Sequence, residues 1–472
     1  MTRINTNIPA MVATGRFRNN TNDLYVRLER LATGLRINRG KDDPAGLIAS
    51  ESLRKEIRGL TAAISNSQRA INVLSTAEGA LNEVSSLMLD LKALIMGIAN
   101  EGAISDEEVQ ANQLEIDAII SSIDRIANTT TFSGKKLLNG SLSYLVSGLD
   151  TNALAHTAIY AARVPDNGTK RVIVQVQASA QRAELVFNGA VTSAVTVEVG
   201  GRLGTDILTF QSGASINDIA TAINGLTTAI GVSAIVSGTA LRLTSLDFGS
   251  DAFVSIKSLS GNFVEATYSS GTTTRDDGVD PTVSVNGQQA YARGLRVDTR
   301  SEPLEGRFYL TEAFAQVLSQ TTFDITGGGA LFQITPQINL QGQLNVGIES
   351  VSTANLGNMV VGFLSSVRSG GSNEVAQGNF TAAENIINEA INQVASMRGR
   401  LGAVQKQKIE TNINSQQIAF ENVTASESAI RDADMAVEVS ALTRDQILLQ
   451  ATSMTLGISQ QIPQMALQLL GG

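Results

Sequence analysis

Apolar residues return in alternating steps of four and three along one long stretch of this chain. They are Leu53, Ile57, Leu60, Ile64, Ile71, Leu74, Leu81, Val84, Met88, Leu91, Ile95 and Ile98. The pattern skips at Ser67 and where Glu78 sits, and otherwise makes a heptad seam sustained for more than six repeats. Asp43-Pro44 supplies its start, an N-cap acceptor followed by Pro at the first helical position. The spacing predicts one helix over 43–98, about 80 Å long. The stripe alone fits an ordinary bundle core. Its length favours a rod or filament, because so long a helix needs partners along its whole extent.

Further helices flank it. Ser105 and Glu108 form a capping box before Val109, Ile116, Ile119, Ile120, Ile123 and Ile126, and Thr129-Thr130-Thr131 ends that pattern. At the other end of the chain, Thr381 and Glu384 suggest a second box. Ile387, Val394 and Leu401 then take one seam position, and Ala390, Met397 and Val404 the other. The phase slips by one residue to Ile409, Ile413, Phe420, Val423 and Ile430. A last amphipathic stretch runs through Ile447, Ala451, Met454, Ile458, Met465 and Leu469.

Composition separates these ends from the centre. Residues 151–375 hold fourteen of the twenty Phe and Tyr, four of the seven Pro and 25 of the 42 Gly. Such residues punctuate β structure and break helices, so the centre reads as mainly β. Arg171–Val176 and Val195–Val199 alternate as strands, Ser215–Asp218 opens a short helix ending near Gly225, and strands follow at Val232–Val236 and Leu241–Thr244. That is a ββαββ unit. The expected class is α+β and multidomain: a long antiparallel α-helical coiled-coil rod made by the N- and C-terminal segments, with a mainly β insert between them.

Most enzyme chemistry is closed by composition. The 472 residues include no Cys and one His, His156, so thiolate sites, His-rich metal sites and HExxH chemistry are excluded. The glycines at 327–329 lack the Lys-Ser/Thr of a phosphate loop. Asp276, Asp277 and Asp280 lack the spacing of a calcium loop and read as a solvated polar loop. No cofactor is expected. The formal net charge of −9 without a basic cluster argues against nucleic acid and anionic membranes, and no apolar run reaches membrane-span length. Residues 1–17 lack the apolar core of a cleavable signal peptide.

Particular motifs carry a family resemblance. Residues 28–53, LERLATGLRINRGKDDPAGLIASESL, resemble the N-terminal signature of bacterial flagellins. Glu78–Glu83, Phe132–Gly140, Leu401–Gln405, Ser428–Asp434 and Gln446–Ala451 are similar to flagellin segments in the same order. Ser215–Ile219 with Ala222, Ile223 and Asn224 resembles the flagellin IN motif, in a unit at about 185–250.

The resemblance implies a subunit that polymerises into the bacterial flagellar filament for swimming, extracellular and secreted without a cleaved signal. Residues 1–41 and 434–472 would be lumen-lining helices, disordered in the monomer and folding on assembly. Ile4, Ile8, Leu28, Leu31, Leu35, Ile447, Leu448, Met454, Ile458, Met465 and Leu469 would pack there between subunits. Residues 42–150 and 376–433 would form the rod, its seam carried by Leu53, Ile57, Leu60, Ile64, Ile71, Leu74, Leu81, Leu91, Val394, Leu401 and Val404, with a strand pair near 136–147. Residues 151–375 would face outward, where Ser269-Ser270 and Thr272–Thr274 are candidate O-glycosylation sites. Implied partners are other copies of the chain, filament cap and hook-associated junction proteins, and a type III export chaperone on about 447–470. One departure concerns the innate-immune Toll-like receptor: Asp90 stands where recognised flagellins carry a key Arg, while Leu94 is retained. A hook–filament junction protein, a flagellin with an enzymatic insert and a stalked adhesin are the alternatives.

Overall fold

The computed structural model describes residues 6–100, 104–165, 168–188, 191, 193–261, 263, 267–268, 271–272, 274–301, 304–359 and 361–470. α1 (Ile8–Thr33), α2 (Pro44–Ile98) and α3 (Asp106–Thr129) precede the β-rich centre. α4 (Ile216–Gly225), α5 (Thr227–Ile230) and α6 (Glu312–Ala315) lie within it. α7 (Phe380–Ala403), a π-helical turn at Val404–Glu410, α8 (Thr411–Arg431) and α9 (Met435–Leu470) follow. The chain folds as two compact units. One comprises residues up to Arg69, Gln333–Ile338 and residues from Gln407; the other comprises Ala70–Phe332 and Asn339–Lys406.

α2 is the single 55-residue helix that the heptads predict. Asp43 Oδ1 accepts a hydrogen bond from Gly46 N at 2.9 Å, capping the first turn. A Cβ at Gly46 would stand 2.4 Å from Asp43 Oδ2 and 2.7 Å from Ile37 Cδ1, so a larger residue there would displace the capping carboxylate. The buried stripe runs Leu60, Ala63, Ser67, Ala70, Leu74, Ala77, Leu81, Val84, Met88, Leu91, Ile95 and Ile98, without a skipped turn. The seam positions assigned to Ile64 and Ile71 therefore belong to Ala63 and Ala70, and the two isoleucines flank the stripe half-buried, as do Leu53 and Ile57. Small residues bring helices close but carry little hydropathy signal, so the pattern looked broken where it is continuous.

Within the second unit, Lys92 Nζ donates to Asn388 Oδ1 at 2.8 Å and Ser75 lies 3.5 Å from Gln405. The contacts advance along α2 while retreating along the C-terminal helix, so the two are antiparallel. Val394 and Leu401 are fully buried and Val404 nearly so. The one-residue slip after Val404 is absorbed by the π turn, whose wider spacing keeps both Val404 and Ile409 inside. The capping box at Ser105 and Glu108 forms. The one at Thr381 and Glu384 does not, because α7 already begins at Phe380.

The strand pair expected near 136–147 is displaced. The hairpin joins Thr131–Phe132 to Lys135–Lys136, turning through Ser133 and Gly134 at φ 49° and 80°. Tyr144–Ser147 instead opens an eight-stranded antiparallel sheet. Its order continues Gln320–Gly328, Lys170–Ala178, Thr282–Val285, Gln288–Arg293, Arg296–Ser301, Leu304–Leu310 and Leu154–Ala162. The two edge strands meet, for Ala162 N donates to the Tyr144 hydroxyl at 2.8 Å and that hydroxyl donates to Ala162 O at 3.3 Å. Val172, Val174, Val283, Val297, Phe308 and Phe323 fill the interior. The triple glycine serves this closure, since a Cβ on Gly328 would lie 2.3 Å from Ser143 O.

The unit expected at about 185–250 forms around a separate core that includes Val197, Val199, Ile219, Ile223, Val232 and Leu243. Its first hairpin pairs Val195–Gly201 with Thr205–Phe210 and its second pairs Val232–Ser237 with Ala240–Ser245; α4 lies between, capped by the Ser215–Asp218 box. The strand at Arg171–Val176 belongs to the other sheet, so Thr205–Phe210 completes the ββαββ unit. The acidic run is structural rather than a free loop. Asp276 accepts from Glu184 N at 2.7 Å, and Asp280 accepts from Ser250 N and Gly294 N at 3.1 and 2.7 Å. Ser269, Ser270 and Thr273 lie outside the described residues.

The expected insert boundaries at 151 and 375 also shift. The sheet begins at Tyr144, and Gln333–Ile338 folds with the first unit. Residues 353–369 return to the helices through Thr353–Asp124, Ser369–Asp117 and Gly357–Gln393 hydrogen bonds.

Candidate assembly surface

The first unit brings the two chain ends together. Asn7 Oδ1 caps α1 at Ala10 N, and Gly34 ends it at φ 72°, the left-handed conformation that favours glycine. Asp434 caps α9 through Ala436 N and Val437 N. The exit of α1 and the entry of α9 are stitched by Ala433 N to Gly34 O at 2.9 Å and Arg36 N to Arg431 O at 2.7 Å. The helices then run antiparallel. Asn7 Nδ2 donates to Ser459 O at 2.6 Å, Asn20 Nδ2 to Leu448 O at 3.3 Å, and Arg27 Nη1 to Glu438 at 2.9 Å.

What holds this pair is mostly polar. Arg27 and Arg30 converge on Glu438, with Asp445 3.6 Å from Arg27, and both carboxylates are only 5% exposed. Burial opposes ionisation of Glu438, but hydrogen bonds from Arg27 and Arg30 hold its carboxyl below the ordinary carboxylate value. Ala13 is the only fully buried residue of α1. Sequence reasoning missed this cluster. The signal was charge spacing, Arg27 and Arg30 at i,i+3 against Glu438 and Asp445 at i,i+7, on helices read only for their apolar stripes.

The apolar residues singled out at the ends mostly face outward. Ile447 is 61% exposed and Met454 72%, and Ile8, Leu28, Leu448, Ile458 and Met465 are exposed as well. Leu31 and Leu35 are half-buried. Ile4 lies outside the described residues, as does the Leu469 side chain. Met11, Val12, Tyr25, Val437 and Val439 add to the exposed apolar surface and were not anticipated. The helix pair thus shows a run of large unburied side chains on both members, which is the mark of an interaction surface. Asp90, in the second unit, is exposed on α2 beside exposed Leu89. Among the described residues no cluster of His, Asp and Glu could hold a metal ion, and no helix is long and apolar enough to cross a membrane.

Comparison with known proteins identifies the family. Residues 4–143 match the bacterial flagellin N-terminal helical region, and residues 385–470 match the bacterial flagellin C-terminal helical region. Flagellin D of Vibrio cholerae is 31% identical over 471 residues, covering 99% of each chain. The chain belongs to the bacterial flagellin family. The flagellin of Bacillus subtilis is 27% identical over 469 residues, again covering 99% of each chain. A solved hook associated protein-3 from Legionella pneumophila is 14% identical and covers 80% of this chain and 98% of its own, at a TM-score of 0.31, a likeness too loose to carry weight. Flagellin is a structural protein, and this flagellin is a subunit of the extracellular filament; the full-length match favours that role over a junction protein.

Proposed function

We propose that α1 and α9 are the assembly switch of this filament subunit, ordering when they pack on neighbouring copies. The observation that carries the reading is the mismatch between what holds the pair and what it leaves outside: buried ion pairs within, and Ile8, Leu28, Ile447, Met454 and Ile458 without cover. Each such side chain gains roughly 1.5–3 kcal/mol when fully buried. An isolated amphipathic helix is marginal in water, so burial of many side chains at once offsets the ordering entropy. The contact is heterologous, because a self-complementary patch would close into a dimer whereas a non-closing head-to-tail contact gives a helical polymer.

In this reading residues 1–41 and 434–472 line the lumen, the seams of α2, α7 and α8 form the rod, and the β-rich centre faces outward. The apolar face of α9 at about 447–470 suits an export chaperone before assembly, on a type III route. Cap and hook-associated junction proteins engage the same terminal helices at the filament ends. Limited proteolysis of the monomer tests the switch. Both ends should be trimmed first and become protected in filaments; equal resistance in both forms contradicts it.

A further inference from the structure

The chain has no Cys, so its sulfur redox chemistry rests on nine methionines. Four of them, Met11, Met435, Met454 and Met465, stand on α1 and α9, two helices of the first unit. Ile447, Met454, Ile458 and Met465 follow one another in steps of seven, four and seven, which puts them on one face of α9. On α1, Ile8, Met11 and Val12 share a face by helical spacing. All seven side chains are exposed. The Asn7–Ser459 and Arg27–Glu438 bonds fix an antiparallel register that brings Met11 level with Met454. Met11 is 68% exposed, Met454 72% and Met465 53%, so an oxidant in solution reaches their sulfurs. Met88 on α2 and Met397 on α7 are buried and beyond its reach.

We propose that Met11, Met454 and Met465 form an oxidation site that gates assembly, with a peroxide as the oxidant. The proposal rests on the reading that α1 and α9 pack on neighbouring copies. Hydrogen peroxide transfers one oxygen to the methionine Sδ. An S–O bond forms, the O–O bond breaks, and the second oxygen leaves as water with both protons. The sulfur gives up two electrons and the peroxide takes them.

The product changes what the face can do. A thioether is a soft, adaptable apolar contact, whereas a sulfoxide is polar and accepts hydrogen bonds. Covering it without a donor is costly. Its neighbours along the two stripes, Ile8, Val12, Ile447 and Ile458, have no donor in their side chains. An oxidised subunit therefore stays out of the filament, while a subunit already incorporated has the same sulfurs covered. Met435 stands at the entry of α9, off the stripe. Met96 and Met359 are exposed in the second unit, so they oxidise without bearing on the gate.

The test oxidises part of a full-length monomer pool with hydrogen peroxide, polymerises the pool on seeds, and maps sulfoxide in filament and soluble fractions by peptide mass spectrometry. Sulfoxide at Met11, Met454 and Met465 should be depleted from filaments by about tenfold or more, the effect of losing one buried apolar side chain. Sulfoxide at Met96 and Met359 should partition evenly, and Met88 and Met397 should stay unoxidised. The same filament-to-soluble ratio at the first three positions as at Met96 and Met359 overturns the proposal. So does failure of the three to oxidise where Met359 does. Met454→Gln separates the gate from the reading beneath it. If this polar variant polymerises like the unaltered chain, the α1–α9 assembly surface itself is wrong and the gate falls with it. If it is blocked while the sulfoxides partition evenly, only the oxidation gate is overturned.

Discussion

Arg27 on α1 and Glu438 on α9 stand 411 residues apart in sequence and 2.9 Å apart in space. Arg30 joins the same carboxylate at 3.1 Å, and Asp445 lies one heptad farther along α9. This cluster sets which turn of α1 meets which turn of α9, while the apolar side chains around it remain free for other contacts. Register and adhesion are thus assigned to different residues on the same two helices.

Removing the shared anion should disable assembly before it disturbs the rest of the chain. Glu438→Gln leaves Arg27 and Arg30 partly buried beside a weaker acceptor, a loss of about 2 kcal/mol, which corresponds to roughly a thirtyfold rise in the critical concentration for polymerisation. Acid should act on the same bond. Glu438 is held below its ordinary value of 4.5 in the folded pair, so its contribution is present above that value and is lost as pH falls through the folded one. Sedimentation of filaments against pH should show dissociation in that acid window, and Glu438→Gln should weaken the dependence.

The α2 seam predicts opposite outcomes for two small changes. Leu81 is fully buried, so Leu81→Ala should cost about 2–5 kcal/mol. Ser67 is equally buried and its hydroxyl has no hydrogen-bond partner. Ser67→Ala relieves that deficit and improves helix propensity, for a gain of about 1 kcal/mol. Thermal unfolding followed by circular dichroism separates the two by sign.

Asp90 gives a prediction about recognition. It is exposed on α2, so its replacement should leave stability within about 0.5 kcal/mol. Purified monomer should activate the innate-immune receptor weakly, and Asp90→Arg should increase the response in a reporter assay. A strong response from the unaltered chain would refute the assignment.

The long helices were legible because their residues repeat locally. The 43–98 seam, the Ser105 box and the slip at Val404 could all be read from spacing, and the slip has a physical counterpart in the π turn. Ala63, Ala70 and Ala77 were overlooked because a small side chain fills a tight interface without a hydropathy signal. The sheet was not legible, because Lys170–Ala178 pairs with strands more than a hundred residues downstream and nothing local encodes that choice. The Arg27–Glu438 cluster was hidden for the same reason. The exposed face at Ile447, Met454 and Ile458 was anticipated because an apolar stripe on a terminal helix needs a partner wherever the chain provides none.

Seeded polymerisation of the full chain beside a chain lacking 1–41 and 434–472 tests the central claim most directly, with electron microscopy and circular dichroism as readouts. The account predicts that only the full chain elongates from the seeds, gaining helix as it does so. Elongation by the truncated chain, or elongation of the full chain without any gain of helix, would contradict it.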